Sequence, residues 1–404
     1  MSDPNPRTPL VTLATRGARL GSLFGVEIRM DWSLAIVFGL VLFDLALSVF
    51  PEWHPEWSAA WTWSTAFAAA LLFFGSVLVH EMSHALVGRT QGVPVSRITL
   101  FLFGGIAHMD EEPRSPKAEL LMAGIGPITS LAIGVAGIAG GVALSGVSAT
   151  ALLTDPVEVM PRVGPFATLL LWLGPVNVAL GLFNLLPGFP LDGGRVLRAT
   201  LWAAFRDVER ATRWASRSGQ LLAAGLAALG VWSMVGGGFG QGVWLLLIAW
   251  FLFGAARGSY AQVLLRERLK GVTLEALMRD DVMPVEPSMT LDRVVEERVI
   301  GTDATAFLVA EGSALLGEVT VARIHSIPRP EWPTTRVEEV MTPASALPSM
   351  SPGDPVDRAL RELSRLGVAQ VIVREAGNLI GVVRRQDIMR WLAFAPRSPH
   401  PIHP

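Results

Sequence analysis

The sequence predicts a polytopic α-helical membrane protein, with about six transmembrane helices and a short membrane-associated β element, followed by a cytoplasmic α/β module. Hydrophobic residues make up 51% of its 404 residues and charged residues only 17%, against about 25% charged residues in soluble domains. The charge is uneven, because long stretches before residue 257 lack ionisable groups, whereas the later chain has the composition of a soluble domain. Within that later part, a unit recurs with a spacing of about 60 residues.

Residues 1–31 are predicted to be a cytoplasmic N-terminal segment. They contain scattered arginines and no short apolar stretch followed by a cleavage site, so we expect no removable signal peptide. Within this segment, Ser22–Ile28 is expected to form one strand that pairs with a later β segment.

Six apolar stretches are long enough to cross about 30 Å of hydrocarbon, which takes about 20 helical residues each. The second and third exceed a single span, so we expect them to tilt, to kink at glycine or to project beyond the bilayer. The predicted spans are 32–50, 61–88, 118–147, 165–187, 217–235 and 241–256.

The distribution of basic residues predicts that both termini and the C-terminal module are cytoplasmic. The N-terminal segment and the connections after the second and fourth spans are rich in Arg and Lys, whereas the opposite connections carry only Arg162. The arginines between 195 and 217 are expected to face anionic lipid. An aromatic belt is expected on the outer side, formed by Trp53, Trp57, Trp61 and Trp63.

Between the second and third spans, the pattern of Val93–His108 is typical of a strand and a turn. The segment is rich in β-branched and aromatic residues and is interrupted by Gly104 and Gly105. Non-helical backbone at membrane depth is tolerated only where it is buried in protein or lines a cavity, so we expect one of these two settings for this segment.

The second span ends in His80-Glu81-Met82-Ser83-His84, which predicts a metal site in the membrane. On a helix His80 and His84 project from nearly the same face, as two ligands of one metal must, and Glu81 lies beside them. Because the chain has no cysteine, the metal must be held by His, Asp or Glu. Ionisable residues in hydrocarbon are costly, so this group indicates function more strongly than a polar pair that only packs two helices.

A hydrolytic zinc site usually takes a third protein ligand, for which Asp192 is the best candidate. It lies in Asn184–Gly194, at the end of the fourth span and therefore on the same side of the membrane as the end of the second. Prolines and glycines there interrupt the helix and free the backbone to direct a carboxylate inward. His108 is an alternative ligand, although Asp110, Glu111 and Glu112 beside it look like the start of a solvated loop.

At these residues the chain resembles the site-2 protease family of intramembrane zinc metalloproteases. The resemblance rests on the His80–His84 motif, Leu102–Gly105, Gly126-Pro127, and the Asn-x-x-Pro and Asp-Gly elements of Asn184–Gly194. It implies a transmembrane protease domain over 32–256 with one zinc ion per chain.

The resemblance also implies the roles of the site residues. His80, His84 and Asp192 would bind the zinc, Glu81 would be the catalytic base acting on a zinc-bound water, and Asn184 would bind or polarise the substrate. Gly126 and Pro127 are expected to be packing elements at a close helix crossing.

A transmembrane substrate would have to unwind before cleavage, because a helix hides its carbonyls in its own hydrogen bonds. We expect the extended segment to pair with the strand near Ile98–Phe103, which would replace its lost backbone hydrogen bonds. The expected partners are therefore a transmembrane protein substrate and membrane lipid, and the net charge of −2 argues against a nucleic-acid partner.

The repeated unit of the C-terminal part resembles a tandem pair of CBS domains. Val282-Met283-Pro284 recurs as Val340–Pro343, and Gly317–Thr320 recurs as Gly381–Arg384. The predicted division is a linker at 257–271, a first CBS domain at 272–332, a second at 333–395 and a tail at 396–404.

In CBS domains a Ser or Thr and an Asp three residues later commonly contact an adenine nucleotide. The first copy keeps Thr320 but has Arg323 at the Asp position, whereas the second keeps Asp387 but has Arg384 at the Thr position. Two alternatives therefore stay open for this module, which are adenine-nucleotide sensing and a structural or homodimerisation role.

Two other functions remain as alternatives to the protease. CBS pairs also regulate membrane transporters, so the chain could be a CBS-regulated ion transporter, although it lacks the inverted repeats typical of one. It could also be an inactive zinc-binding membrane protein, against which the intact Glu81 argues.

Overall fold

A computed structural model describes residues 17–102, 104–109, 113–280, 283–302, 304–312, 314–376 and 378–394. The chain divides between Ala261 and Gln262 into two compact units. Most of the predicted N-terminal segment, Val282, the acidic residues 110–112 and the tail at 396–404 lie outside the described residues.

Six helices of the described chain are long and apolar enough to cross a membrane, which confirms the predicted polytopic helical fold. They are α1 (Trp32–Trp53), α2 (Ala59–Thr90), α3 (Pro116–Ser145), α6 (Pro165–Asn184), α8 (Val208–Val235) and α9 (Phe239–Leu269). The shorter helices between them are α4 (Ala149–Thr154), α5 (Pro156–Val159) and α7 (Asp192–Phe205).

Polar caps fix where several of these helices begin. The Ser58 hydroxyl accepts a hydrogen bond from the Trp61 backbone N–H at the start of α2, and Ser115 does the same for Ala118 in α3. Asp207 caps α8, so this helix begins nine residues before the span predicted at 217–235. Helix α9, the last of the six long apolar helices, continues to Leu269, so most of the segment predicted as a linker, 257–271, is helical.

The first unit also contains a four-stranded sheet in the order β1-β2-β3-β4. Its strands are β1 (Ala18–Leu23), β2 (Val26–Met30), β3 (Val95–Phe101) and β4 (Gly104–Met109). Strands β2 and β3 are parallel and the other pairs are antiparallel. The predicted strand and turn in 93–108 are thereby confirmed as a hairpin.

The expected pairing of the Ser22–Ile28 segment with a later strand is confirmed for its second half, since β2 pairs with β3. Two details of the β prediction are wrong. Ser22–Ile28 is not one strand, because Phe24 and Gly25 adopt positive φ and reverse the chain between β1 and β2. Gly104 and Gly105 do not form the turn but begin β4.

Helices α3 and α6 pack at short range through small residues. A Cβ on Gly174 would lie 2.7 Å from the Ile138 backbone nitrogen, and one on Gly181 would lie 3.0 Å from the Pro127 carbonyl oxygen. Glycine therefore permits the close approach of these two backbones, as is common between membrane helices.

The second unit contains two three-stranded sheets, in the orders β5-β6-β7 and β10-β9-β8. The strands are β5 (Ala306–Glu311), β6 (Ala314–Thr320), β7 (Thr342–Pro343), β8 (Ser349–Met350), β9 (Gln370–Glu375) and β10 (Asn378–Arg384). The α-helices are α10 (Leu291–Val294), α11 (Val321–His325), α12 (Val337–Val340), α13 (Val356–Leu366) and α14 (Arg385–Phe394).

The two halves of this unit repeat the same arrangement. Each has a hairpin, β5–β6 or β9–β10, followed directly by a helix, α11 or α14. In β5–β6 Ala306 pairs with Thr320, and in β9–β10 Gln370 pairs with Arg384. The repeat seen in the sequence therefore corresponds to a repeat in structure.

Candidate active site and metal centre

Helix α2 brings the two histidines of the motif together. His80 and His84 are one turn apart, both are buried, and their Nε2 atoms are 3.3 Å apart. Their rings are nearly perpendicular, with an angle of 76° between the planes. Both Nε2 atoms therefore converge on one point.

Asp192 completes this group from a different part of the chain. Its Oδ2 lies 3.1 Å from the Nε2 of His80 and 3.1 Å from that of His84. Asp192 is the first residue of α7, where the helix dipole favours a carboxylate. A Cβ on Gly194 would lie 2.3 Å from the Phe189 nitrogen, so glycine is needed for the tight loop before this helix.

The other ring nitrogen of each histidine is also bonded. His80 Nδ1 lies 2.8 Å from the Ser130 Oγ, and His84 Nδ1 lies 2.5 Å from the Met122 carbonyl oxygen. A carbonyl can only accept, so His84 carries its proton on Nδ1 and leaves Nε2 as a free lone pair. This tautomer is the one that binds a metal.

The three donor atoms fit a zinc ion. Zinc bonds of about 2.0–2.1 Å in a tetrahedral site place neighbouring ligand atoms about 3.3 Å apart. The observed separations of 3.1, 3.1 and 3.3 Å match that edge. Two imidazoles and a carboxylate are also a donor set that zinc takes in catalytic sites.

Gly126 keeps the space at this centre open. A Cβ on Gly126 would lie 2.2 Å from the His84 Nε2 and 2.7 Å from the His80 Nε2. The expectation that Gly126 serves helix packing is thus incomplete, because its backbone lies against the Nε2 atoms of both histidines.

Glu81 lies against the β sheet. A Cβ on Gly105 would be only 2.4 Å from the Glu81 Cγ, and the Gly105 backbone N–H donates a hydrogen bond to the Glu81 carboxylate. The first residues of β4 therefore hold the glutamate that follows His80 in the motif.

Asn184 is not among the donor atoms of the centre. It lies at the end of α6, and its Nδ2 donates to the Leu180 carbonyl 3.1 Å away in the same helix. The His108 side chain lies outside the described side chains, and among the described residues the group that could hold a metal ion consists of His80, His84 and Asp192.

In the second unit, the residues expected at a nucleotide site form hydrogen bonds at the strand–helix junction of their own repeat. The Thr320 hydroxyl accepts from the Arg323 backbone N–H, 3.1 Å away, and caps α11. The Asp387 carboxylate accepts from the Arg384 backbone N–H at 3.1 Å and lies 3.4 Å from the Arg384 Nε. Each copy has an arginine where the CBS pattern has a Thr or an Asp, and in each copy this arginine is the hydrogen-bond partner of the polar residue that is kept.

Sequence reasoning missed Ser130, Met122 and Glu119 in the site region. It also placed Arg198 among the arginines that face lipid, which is wrong, because Arg198 is buried against Glu119. Glu119 is fully buried and forms two hydrogen bonds with Arg198 of α7. A usable signal existed for Glu119, since it is a carboxylate within the predicted span 118–147. A single serine in an apolar helix gives no such signal, because serine is common at helix contacts.

Comparisons with known proteins agree with this geometry. The model of Peptidase family M50 matches residues 68–226 and that of the CBS domain matches residues 337–394. Rip3 of Mycobacterium tuberculosis, whose name classes it as a zinc metalloprotease, is 32% identical over 92% of each chain. The protein sll0528 of Synechocystis, named in the same way, is 29% identical over 93% of this chain and 95% of its own length.

Among solved structures, the site-2 protease from Methanocaldococcus jannaschii covers 60% of this chain and 95% of its own, at 28% identity and a TM-score of 0.42. The family match spans the helices that carry His80, His84 and Asp192, and the similarity to Rip3 extends over nearly the whole chain. The chain therefore belongs to the M50 peptidases, the site-2 protease family of zinc metalloproteases, and is a multi-pass membrane enzyme with a CBS domain in its C-terminal part.

Proposed function

We propose that this protein cleaves peptide bonds in the transmembrane segments of other membrane proteins, as a step of regulated intramembrane proteolysis. The observation that carries the proposal is the convergence of His80, His84 and Asp192 within 3.3 Å of one another, beside Glu81 and between apolar helices. A metal-dependent hydrolytic centre at this place serves a substrate that also lies in the membrane.

Each residue of the centre has a distinct role. When bound, zinc supplies Lewis-acid polarisation of the scissile carbonyl and a water made more acidic. Glu81 accepts the proton of the attacking water and delivers it to the leaving amine. The Gly105 N–H holds the Glu81 carboxylate in place for both transfers. Asn184 binds the substrate carbonyl after releasing its bond to Leu180.

The substrate strand pairs with β4. The strand first expected to receive it, β3, already has β2 on one side and β4 on the other, so that expectation is wrong. Among the described strands β4 has a neighbour on one side only, and its Gly105 touches Glu81. An unwound substrate segment added to this edge would regain backbone hydrogen bonds next to the catalytic base.

For the C-terminal unit, we propose a structural or homodimerisation role rather than nucleotide sensing. The support is the ion pair of Asp387 with Arg384, which occupies the carboxylate that a ribose would need. We expect no change in the melting temperature of the full-length protein with AMP or ATP. A shift that disappears in Asp387→Ala would overturn this role and support sensing.

The protease function is tested with purified full-length protein in detergent and a single-span candidate substrate. We expect one zinc per chain in the wild type and in Glu81→Gln, and a loss of cleavage of at least about 100-fold in the variant. The matched control is Glu56→Gln, at an exposed glutamate in the connection between α1 and α2. Cleavage unaffected by Glu81→Gln would refute the assigned base, and zinc binding without any cleavage would favour an inactive zinc-binding protein.

A further inference from the structure

Helix α3 contributes no metal ligand, yet one of its faces contacts the residues around all three ligands. The contacting residues are Glu119, Met122, Gly126 and Ser130, which are spaced by three or four along the helix and therefore share a face. We propose that Ser130 and Glu119 are positioning residues of the metal centre, with Ser130 orienting His80 and Glu119 holding the helix of Asp192. This inference rests on the zinc site of the proposed function.

Ser130 fixes the ring of His80. It is fully buried, and its Oγ lies 2.8 Å from the His80 Nδ1. When Nε2 is the ligand atom, Nδ1 carries the proton and must donate it to a neighbour, because hydrocarbon offers no water to replace a lost partner. The serine hydroxyl accepts this bond and prevents rotation of the ring away from the centre.

Glu119 fixes the position of α7. Its carboxylate accepts from the Arg198 Nε at 2.6 Å and from the Arg198 Nη2. Arg195 of the same helix lies 3.9 Å from the same oxygen. Arg198 is less than two turns from Asp192, so a rigid helix transmits this anchoring to the ligand carboxylate.

Burial makes the ion pair a precise constraint. The Glu119 side chain is fully buried and that of Arg198 is 9% exposed. Neither charge can be solvated if the two separate, so the pair resists displacement of α7 from α3. His84 needs no side-chain partner on α3, because the Met122 main-chain carbonyl accepts a hydrogen bond from its Nδ1–H.

The first experiment measures zinc affinity of the full-length protein in detergent by competition with a chelator, for the wild type and Ser130→Ala. We expect the affinity to fall about 10- to 100-fold in the variant. The matched control is Ser76→Ala, which removes a buried serine of α2 one turn before His80. In the described part of the chain its hydroxyl donates to the Phe73 carbonyl and not to either histidine. The zinc affinity of this control variant should equal that of the wild type.

The second experiment tests Glu119 with Glu119→Gln, Arg198→Gln and the double variant. If the residues act as a pair, the double variant should lose no more zinc affinity than the more affected single variant. The visible spectrum of bound cobalt(II) reports ligand geometry in each protein and should change in the single variants. The melting temperature of the metal-free protein separates misplacement of ligands from loss of the fold.

These measurements distinguish a failure of the proposed protease function from a failure of the positioning roles alone. If the wild type binds no zinc, the proposed function fails together with this inference. If the wild type binds zinc and Ser130→Ala and Glu119→Gln bind it equally well with an unchanged cobalt spectrum, only the positioning roles are wrong.

Discussion

The geometry of the metal centre depends on single residues, and only some of them could be predicted from the sequence. The His80–His84 motif predicts two ligands on one helix face, and the Asp-Gly-Gly element predicts Asp192, whose Oδ2 the structure places 3.1 Å from both Nε2 atoms. Ser130 and Glu119 could not be assigned, because their partners are 50 and 79 residues away in the sequence. Such pairs become visible only when helix packing is known.

Substitution of Gly126 tests directly whether the metal binds between His80 and His84. In Gly126→Ala the new methyl group would lie 2.2 Å from the His84 Nε2, where the metal must bind, so we expect the bound zinc to fall from one per chain toward none. The matched control is Gly124→Ala, two residues earlier in α3, where an added Cβ meets no atom within 4 Å. Metal analysis of purified proteins compares them, and an unchanged zinc content in Gly126→Ala would contradict the assigned centre.

Glu318 predicts a pH dependence in the second unit. Burial raises the pKa of Glu318 from its usual 4.5 to about 7, although hydrogen bonds with Gln370 and the Ala369 backbone act in the opposite direction. The folded state therefore holds this proton more tightly than the unfolded state, and stability falls as the pH rises from about 4.5 through 7. At pH values above about 7, the free energy of unfolding is lower by at most about 3 kcal/mol.

The neutral variant Glu318→Gln removes this effect. Hydrogen exchange of β6 in the full-length protein should be slower in the variant than in the wild type at pH 8, and similar in both at pH 5. Comparing the two proteins at each pH cancels the intrinsic pH dependence of exchange. Equal protection at pH 8 would show that Glu318 does not titrate in this range.

At the level of elements, the order of strands decides which one can receive a substrate. Residue patterns predicted the strand in 93–108 and a partner strand overlapping β2, but the parallel register of β2 on β3 joins residues about 70 positions apart and could not be predicted from local pattern. That pairing places β3 inside the sheet and leaves β4 at its edge.

Ala107→Pro tests this edge. Antiparallel ladders alternate, so Ala107 shares with Gly105 an N–H that points away from β3. Proline there removes one donor for the substrate and leaves the bonds to β3 in place. We expect KM to rise about 10-fold, the equivalent of one lost backbone hydrogen bond, while bound zinc stays constant.

The control for this edge variant is Ala107→Ser, which alters the same side chain but keeps the N–H. Its KM should stay near the wild-type value. A KM that is equally high in Ala107→Ser and Ala107→Pro would indicate an effect of the side chain and would remove the support for substrate pairing with β4.

For the whole molecule, hydropathy and repeat spacing predicted most of the architecture. Six apolar stretches and six long helices correspond, because a membrane span requires a length and composition that are readable directly from the residues. Helix ends were less predictable. The segment 257–271 was expected to be a linker, but it contains no proline, and its two glycines are Gly258 and Gly271. No helix-breaking residue therefore stands between Gly258 and Gly271, and α9 continues to Leu269.

The orientation of the whole molecule remains a prediction from the basic residues, and the absence of cysteine makes it directly testable. Single cysteines are introduced at three exposed alanines, Ala149 in α4, Ala204 in α7 and Ala322 in α11. A maleimide that cannot cross membranes should label Ala149→Cys in intact cells. Ala204→Cys and Ala322→Cys should react only after the cells are permeabilised, because both lie on the predicted cytoplasmic side.

Labelling after permeabilisation is the internal control, since all three cysteines must then react. The result also sets the depth of the metal centre, because Asp192 begins the same helix that carries Ala204. If Ala204→Cys were labelled in intact cells, the centre would open to the outer side, and substrates would be cut near the outer leaflet. The predicted pattern instead places cleavage near the cytoplasmic leaflet, where a released fragment could act inside the cell.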